Sequence, residues 1–377
     1  MKIAVAAETD PAEPRVAATP DTVKKMISLG AEVTVEPGAG KAAGFLDADY
    51  SAAGAKLGKN AAKQADIILK VRRPSAAELA GYKKGALVIA IMDPYGNEAA
   101  LKEVADAGII AFAMELMPRI SRAQSMDVLS SQANLAGYRA VIDGAAEFGR
   151  AFPMMMTAAG TVPAARVFVM GAGVAGLQAI ATARRLGAVV TATDVRPAAK
   201  EQVESLGAKF IAVEDDEFKQ AETAAGYAKE MSKDYQRKQA TLVAEHVKKQ
   251  DLVITTALIP GRPAPRLISK DMVASMKPGS VLVDLAIERG GNVEGAKAGE
   301  VVNVNGVKIV GYTNMAGRLP ASASALYAKN LLNFLEILID KDSKKLAIKW
   351  DDEIVKATAL TRDGAVIHPD FQPKSAA

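Results

Sequence analysis

The chain has 377 residues, of which 50% are apolar and 24% charged, a balance typical of a soluble globular protein with two domains. Lys and Arg number 47 and Asp and Glu 43, so the formal charge of +4 gives no indication of nucleic-acid binding. The absence of cysteine excludes disulfides, thiolate nucleophiles and Cys-ligated metals, and a His-based site has only His246 and His368 available.

The first stretch of the chain alternates short apolar runs with Ala-rich helical segments. The apolar run at the N-terminus stops at Glu8, which favours a strand over a signal peptide. A helix over 21–29 ends at Gly30. Near-continuous apolar strands separated by helices are typical of a parallel sheet covered on both faces. The pattern predicts such strands at 3–7, 32–35, 67–71, 87–91 and 109–113.

A second α/β unit follows a long helical pattern over 126–152. Its predicted strands are 166–170, 189–193, 209–213, 252–256, 281–285 and 308–310. Near the C-terminus a helical pattern covers 325–339, and Asp363-Gly364 between the apolar runs 354–360 and 365–367 predicts a hairpin. We expect two Rossmann-like, doubly wound parallel-sheet domains with a cleft between them. The first is discontinuous (1–128 with 320–377), and the second covers 129–319.

The connection between the strands ending near 213 and beginning at 252 is unusually long for a crossover. It contains Gly226 beside Tyr227 in a charged context. This composition fits a mobile flap that closes over a ligand, and it fits a solvated helical insertion equally well.

A dinucleotide-binding motif comes directly after the strand 166–170. Gly171 allows a tight turn, Gly173 lets the backbone approach a pyrophosphate, and Gly176 permits close packing of helix on strand. Val174 and Ala175 open the following helix, whose N-terminus offers N–H groups to phosphate. The next strand ends at Asp194, a carboxylate suited to an adenosine ribose, which favours NAD(H) over NADP(H). Nearby Arg196 slightly weakens that preference.

With this motif in place, the chain resembles the NAD(H)-binding domain I (alpha-1 subunit) family of proton-translocating nicotinamide nucleotide transhydrogenases. The resemblance covers nearly the whole length. It is carried by segments 119–127 (RISRAQSMD), 152–161 (FPMMMTAAGT), 192–196 (ATDVR), 226–231 (GYAKEM) and 255–261 (TTALIPG). It implies that the protein holds NADH and passes its hydride directly to NADP⁺ on a partner subunit, coupled to proton translocation by membrane-spanning subunits. The protein would then be a cytoplasmic homodimer, peripheral on the inner face of the membrane through its partners and without a metal.

The same resemblance implies roles for particular residues. Arg119 would bind the pyrophosphate or carboxamide, Gln124 would reach the ribose and the partner nucleotide, and Asp127 with Ser130 would fix the carboxamide. On spacing alone, the last three residues equally fit the wet face of a helix. The matching mobile loop favours the flap, with Tyr227 closing over the adenosine side. The remaining coenzyme contacts implied are Val195, Thr256, Ala257 and Leu258.

Alanine dehydrogenase, a structural relative, is the competing function. Glu8 through Arg15-Val16 resembles its amino-acid entry, Lys70 matches a lysine of that enzyme, and Glu288 stands where its late motif has Asp. That enzyme moves a proton as well as a hydride and takes its acid/base from a His after the fourth strand. Here the region 87–93 (LVIAIMD) has none. Hydride transfer between two nicotinamides needs only ring apposition at roughly 3–3.5 Å and exclusion of water.

A regulatory, binding-only NAD module is a third possibility, distinguished by whether hydride moves once an NADP-loaded partner is added. Two further expectations concern individual residues. Both His246 and His368 are expected at the surface, far from the site. Met154–Met156 fits either a partner-facing surface or the core, and the core is favoured.

Overall fold

The computed structural model describes residues 1–219, 231–259 and 261–372. Within them the chain forms two compact units. The first consists of Met1–Gln132 and the described residues of Ala316–Ala377, and the second is Ala133–Met315. Each unit has its own main β-sheet and its own buried apolar clusters on both faces of that sheet.

The first stretch of unit 1 begins with the predicted strand and helix. The Thr19 side chain accepts a hydrogen bond from the Thr22 N–H, and Pro20 is the first residue of the first helix, which ends before Gly30 at φ +90°. The strands are β1 (Lys2–Val5), β2 (Glu32–Val35), β3 (Lys56–Leu57), β4 (Ile67–Arg72), β5 (Leu87–Ile91) and β6 (Ile110–Ala113). The helices are α1 (Pro20–Ser28), α2 (Asp47–Ala52), α3 (Ala76–Leu79), α4 (Glu98–Asp106) and, across the division into unit 2, α5 (Val128–Glu147).

Unit 2 contains the strands of the predicted second sheet together with a separate short hairpin. The strands are β7 (Met155–Thr157), β8 (Gly160–Val162), β9 (Arg166–Met170), β10 (Val189–Thr193), β11 (Lys209–Phe210), β12 (Leu252–Thr255), β13 (Val281–Asp284), β14 (Val301–Val304) and β15 (Val307–Val310). The described helices are α6 (Val174–Arg185), α7 (Ala199–Ser205), α8 (Asp216–Lys219), α9 (Lys233–Val247) and α10 (Lys270–Ser275).

The last stretch of the chain returns to unit 1. It comprises α11 (Pro320–Leu338), β16 (Ile339–Asp340), β17 (Lys345–Leu346), α12 (Glu353–Thr358), β18 (Ala359–Arg362) and β19 (Ala365–Val366). Strand β18 pairs antiparallel with β6, and β19 pairs antiparallel with β18 in the predicted hairpin. The Asp352 side chain accepts a hydrogen bond from the Ile354 N–H and starts α12, so the apolar run 354–360 is a helix followed by a strand.

The strand order of the two sheets places their ligand-binding edges. In unit 1 the order is β19-β18-β6-β5-β4-β1-β2-β3, with β1 parallel to both β2 and β4. In unit 2 it is β11-β10-β9-β12-β13-β15-β14, with β9 parallel to both β10 and β12. The predicted α/β class with two parallel-sheet domains is confirmed. Ligands of such sheets bind beyond the carboxyl ends of the strands where the order reverses, at β1/β4 and at β9/β12.

Three expectations about individual segments are wrong. Met154, Met155 and Met156 are 62%, 42% and 80% exposed because they lead into the β7–β8 hairpin, which does not join the main sheet. His368 is only 8% exposed, and its side chain accepts a hydrogen bond from the Asp370 N–H. His246 is half-buried against the sheet. A charged helix can still turn one polar residue inward when that residue finds a hydrogen-bond partner there.

Candidate functional site

The first glycine of the motif has a conformation and surroundings that exclude a side chain. Gly171 has φ of +104°, in the left-handed region, and a Cβ there would lie 2.4 Å from Oγ1 of Thr256. The Thr256 hydroxyl donates a hydrogen bond to the Gly171 carbonyl oxygen at 3.1 Å. The residue after β12 therefore supports the turn after β9, its neighbour in the sheet.

Close packing explains two further glycines. A Cβ on Gly176 would lie 1.8 Å from the carbonyl oxygen of Gly171, so the first turn of α6 contacts the loop directly. Gly137 on α5, which the sequence pattern does not single out, would place a Cβ 2.0 Å from the carbonyl oxygen of Ala175. A glycine inside a helix costs about 0.5–1 kcal/mol relative to alanine, and that local cost is the signal that marks Gly137.

Gly173 is different, because the space around it is open. It is the N-cap of α6, with φ of −75°, and a Cβ there would have no neighbour within 4 Å. Val174 and Ala175 follow in the first turn, where N–H groups lack acceptors within the helix. An open backbone surface beside a helix N-terminus is suited to an anionic pyrophosphate, so the residues present fit a dinucleotide.

Asp194 lies at the end of β10 and is tied to the same loop. Its Oδ2 accepts hydrogen bonds from the Ala172 N–H at 2.7 Å and from Nη2 of Arg196 at 3.0 Å. Its Oδ1 accepts from both the backbone N–H and the Nε of Arg196, each at 2.9 Å. The Asp194 side chain is 7% exposed and that of Arg196 32%, while Val195 between them is 52% exposed. The guanidinium thus compensates the charge that was expected to repel a 2′-phosphate.

The segment after β12 is held by a buried amide that the sequence pattern does not reveal. Asn292, 0% exposed, donates to the carbonyl oxygens of Ala257 and Pro265 at 2.9 and 2.8 Å. Its Oδ1 accepts a hydrogen bond from the Ala257 N–H at 3.1 Å. Leu258 is 50% exposed. Asn292 fixes Ala257 through both peptide groups, a long-range contact that no local sequence pattern indicates.

Asp284, at the end of β13, fixes the loop that carries Asn292. Its carboxylate accepts hydrogen bonds from the Ala286 and Val293 N–H groups, both at 2.9 Å, and from the Thr255 hydroxyl at 3.4 Å. The side chain is 0% exposed, and burial raises the pKa of this carboxyl. Its position at a strand end, in the run VLVD, is a sequence signal of the same kind as that of Asp194.

The four residues expected on the nicotinamide side belong to unit 1. Gln124 lies in a 3₁₀ helix, Ser121–Met126, and both Gln124 and Arg119 are exposed. Asp127 immediately precedes α5, where its Oδ1 accepts the Ser130 N–H at 2.9 Å and its Oδ2 the Ser130 hydroxyl at 2.5 Å. Asp127 is therefore a helix cap, and the structure brings it together with Ser130. The helical-face interpretation of the spacing is wrong, because the α-helix begins only after Asp127.

The long connection between β11 and β12 is described only at its two ends. Gly226, Tyr227 and the proposed flap lie outside the described residues. Helix α9, which follows them, contacts β10 through two polar pairs. Gln239 Nε2 donates to Oγ1 of Thr193 at 3.2 Å, and Nε2 of His246 lies 2.8 Å from Oγ1 of Thr191.

Unit 1 holds a cluster of buried charges at its own strand-order reversal. The Arg15 guanidinium donates to both carboxylate oxygens of Glu13 at 2.6 Å, and Arg72 Nε donates to Glu13 at 2.7 Å. Although burial disfavours the charged form, Arg15 and Arg72 lower the pKa of Glu13. Lys70, 1% exposed, donates to Glu78 at 2.6 Å and lies 3.5 Å from Glu8. The cations of the alanine-dehydrogenase resemblance thus have carboxylate partners within the chain.

The loop after β5 has Asp93, in the left-handed conformation at φ +48°, where the competing function requires a histidine. The carboxylate of Glu115 accepts hydrogen bonds from the Met92 and Asp93 N–H groups, and Arg73 donates to both of their carbonyl oxygens. Burial raises the pKa of Glu115. These contacts hold the loop in place without providing an imidazole.

Two further features bear on how the chain could act. Among residues 1–219, 231–259 and 261–372, no helix is both long and apolar enough to cross a bilayer. The same residues contain no group of three or more His, Asp or Glu side chains placed to hold a metal ion.

A parallel sheet whose first strand leads into a glycine turn and helix, with a carboxylate closing the next strand, defines a Rossmann-type nucleotide-binding α/β protein. The family models agree. The N-terminal domain of alanine dehydrogenase/PNT matches residues 4–136 and the C-terminal domain matches residues 140–369. The chain belongs to the alanine dehydrogenase/PNT family.

Individual relatives are similar over almost the full length. The first portion of NAD(P) transhydrogenase subunit alpha from Rhodospirillum rubrum, a separate chain, is 58% identical over 377 residues, covering 98% of each chain. The alanine dehydrogenase of Halomonas elongata is 33% identical and covers 98% of this chain and 95% of its own. A solved transhydrogenase structure from Sinorhizobium meliloti has a TM-score of 0.90 at 65% identity, covering 97% of this chain and 100% of its own. The transhydrogenases are thus much more similar to the chain than this alanine dehydrogenase.

Proposed function

We propose that the chain is the NAD(H)-binding subunit of a proton-translocating transhydrogenase, which passes hydride from NADH directly to NADP⁺ on a partner subunit. Membrane-spanning subunits would couple this transfer to proton translocation. The observation that carries the proposal is the full-length similarity to a transhydrogenase alpha subunit, at far higher identity than to alanine dehydrogenase.

On the adenosine side, the residues around the glycine turn bind and orient the coenzyme. The open backbone at Gly173 and the N-terminus of α6 receive the pyrophosphate. Asp194 accepts a ribose hydroxyl by exchanging part of its contact with Arg196, whose guanidinium is partly exposed. The proposed contacts of this side are Gly171, Gly173, Val174, Ala175, Gly176, Asp194, Val195, Arg196, Tyr227, Thr256, Ala257 and Leu258.

On the nicotinamide side, Asp127 and Ser130 hold the carboxamide and so set the orientation of the ring. Arg119 and Gln124 are exposed, as residues that meet both this coenzyme and a partner nucleotide need to be. NADH supplies the hydride, and the task of this chain is to place the ring at roughly 3–3.5 Å from its acceptor and to exclude water.

The distribution of histidines supports hydride transfer without acid/base chemistry. Of the only two in the sequence, His246 lies on α9 against β10, and His368 caps a short 3₁₀ helix near the C-terminus. Neither is among the residues of the proposed site. Transfer between two nicotinamides moves no proton to oxygen or nitrogen, so a site without a general acid is sufficient.

The proposed assembly is a homodimer that binds NADP-carrying and membrane-spanning subunits and is thereby held at the cytoplasmic face of the membrane. The β7–β8 hairpin supports the homodimer. An isolated two-stranded hairpin is only marginally stable in water, and this one presents three exposed methionines, Met154–Met156. Burial against a second copy would stabilise it.

The direct test mixes the chain with an NADP⁺-loaded transhydrogenase subunit and NADH deuterated at the nicotinamide C4. We expect deuterated NADPH with no loss of label to solvent, and little turnover by the chain alone. Formation of unlabelled NADPH, or no transfer by a chain that binds NADH, would contradict the proposal.

Alanine dehydrogenase is the second candidate because Arg15 and Lys70 lie buried in unit 1. Their carboxylate partners and the replacement of histidine by Asp93 argue against it. Incubation with L-alanine and NAD⁺ separates the two functions. We expect no NADH, and steady formation of NADH would favour the dehydrogenase.

A further inference from the structure

Helix α11 presents a row of polar side chains to the interior of unit 1. Ser324, Tyr327, Asn330 and Asn333 follow one another at intervals of three, and the first three are 0%, 0% and 7% exposed. Residues three apart share a face of a helix. Each of the four makes a long-range hydrogen bond, so the row is a set of anchoring points rather than a section of the apolar core.

Two of these anchors hold the segment that carries the nicotinamide-side residues. Nδ2 of Asn330 donates to the carbonyl oxygen of Ser125 at 2.8 Å, and Nδ2 of Asn333 donates to the same oxygen at 2.9 Å. Oδ1 of Asn330 accepts the Ser131 hydroxyl at 2.8 Å. One amide therefore joins residues 125 and 131, which lie on either side of Asp127.

Chemistry fixes which way the Asn330 amide points. A carbonyl oxygen only accepts hydrogen bonds, so the nitrogen must face Ser125 and the oxygen must face the Ser131 hydroxyl. With Asn333, Asn330 uses both lone pairs of the Ser125 oxygen. The backbone is thus held from outside at a 3₁₀ helix, whose own hydrogen-bond geometry is poor.

We propose that Asn330 is a positioning residue for hydride transfer, with Asn333 in support: its amide fixes the segment 121–131 and so places Gln124, Asp127 and Ser130 against the nicotinamide. This rests on the proposed function. Asn330 touches neither coenzyme nor reacting atoms in this role. A misplacement of about 1 Å at a reacting centre costs about 100-fold in rate, so loss of the anchor lowers the rate strongly.

The decisive variant is Asn330→Asp, which keeps the size of the side chain and replaces the donor by an acceptor. The ionised carboxylate faces the Ser125 carbonyl oxygen, whereas the protonated acid donates to it again. We expect hydride transfer about 10- to 100-fold slower than in the unchanged protein at pH 8, with the ratio recovering as the pH falls toward about 5.5. Affinity for ADP-ribose, which lacks the nicotinamide, remains unchanged.

Asn333→Asp is the matched control, because it alters the half-buried donor to the same oxygen while Asn330 still holds it. Its ratio to the unchanged protein stays within about threefold across the pH range. Should Asn330→Asp fail to fold, Ser131→Ala removes the other contact, and transfer slows while ADP-ribose binding is retained.

Three results would overturn the positioning role: a pH-independent ratio for Asn330→Asp, parallel losses of transfer and ADP-ribose affinity, or a Ser131→Ala variant that transfers hydride at the normal rate. Failure of the proposed function is distinguishable, since the unchanged protein would then transfer no hydride to the NADP⁺-loaded partner at any pH.

Discussion

The carboxylate of Asp194 accepts a hydrogen bond from the Ala172 backbone N–H at 2.7 Å, so the acid that closes β10 also holds the glycine turn after β9. The same carboxylate forms an ion pair with Arg196. The residue expected to select the coenzyme is thus also a structural element of the site, and its charge is shared with a cation able to bind a phosphate.

This double role predicts the effect of Asp194→Asn. The amide retains some of the hydrogen bonding but removes the negative charge, so we expect NADH affinity to fall about tenfold. NADPH affinity rises, because Arg196 is released from its ion pair. Equilibrium titration with both coenzymes measures this. Arg196→Gln is the control and should lower NADPH affinity only; tighter binding of NADPH than NADH by the unchanged protein would contradict the NAD(H) assignment.

The glycines of the motif separate stability from binding. Gly173→Ala adds a methyl group to open space, so we expect unchanged thermal stability and NADH affinity at least about tenfold lower. Gly176→Ala forces a methyl group into the Gly171 carbonyl and destabilises unit 2 by about 3 kcal/mol or more. Thermal unfolding and NADH titration of both variants check this, and Gly149→Ala, which also faces open space, should leave both properties unchanged.

Asp127 serves both as a helix cap and as a proposed carboxamide ligand, and two substitutions distinguish these roles. Serine caps a helix as well as aspartate does, whereas alanine does not and costs about 1 kcal/mol. We therefore expect Asp127→Ser to fold with normal stability and to transfer hydride at least about tenfold more slowly, and Asp127→Ala to lose stability as well. Normal transfer by Asp127→Ser would show that Asp127 acts only as a cap.

His246 makes the stability of unit 2 depend on pH. Burial, then the charges of Lys249 and Lys209, lower its pKa below the ordinary 6.5. Above pH 6.5 the imidazole is neutral in both states; as the pH falls further, the unfolded chain gains a proton that the folded one resists, and stability is lost. The slope is at most about 1.4 kcal/mol per pH unit. Urea unfolding between about pH 7.5 and 5.5 should show a weaker pH dependence for His246→Gln than for His368→Gln; equal slopes would exclude His246 as the cause.

The exposed methionines allow a test of the homodimer. Met156 is 80% exposed, so Met156→Glu is not expected to disturb the fold of one chain, but it places a charge where a second copy is proposed to pack. Sedimentation should give a dimer for the unchanged protein and a monomer for the variant. Val301→Glu, on the edge strand β14, is an exposed control that should stay dimeric. A dimeric Met156→Glu would place the interface elsewhere.

Local sequence patterns were sufficient for the strands of both sheets and for the turn after β9, because apolar runs and glycines report on burial and backbone conformation directly. They were insufficient for the β7–β8 hairpin, whose methionines resemble core residues. They also missed Asn292 and Asn330. Asn330 contacts a residue 205 positions away, and such a contact leaves no periodicity in either segment. Asp127 shows the same limit, since its spacing matched a helical face and only its cap geometry tells otherwise.

The pairing of β18 with β6 has a consequence for synthesis on the ribosome. Every residue of unit 2 is translated before Ala359–Arg362, so a growing polypeptide can complete its second sheet while β6 still has a free edge. Unpaired strand edges are templates for aggregation. The interval between translation of residues 113 and 359 is therefore the period in which the nascent protein most needs chaperone protection.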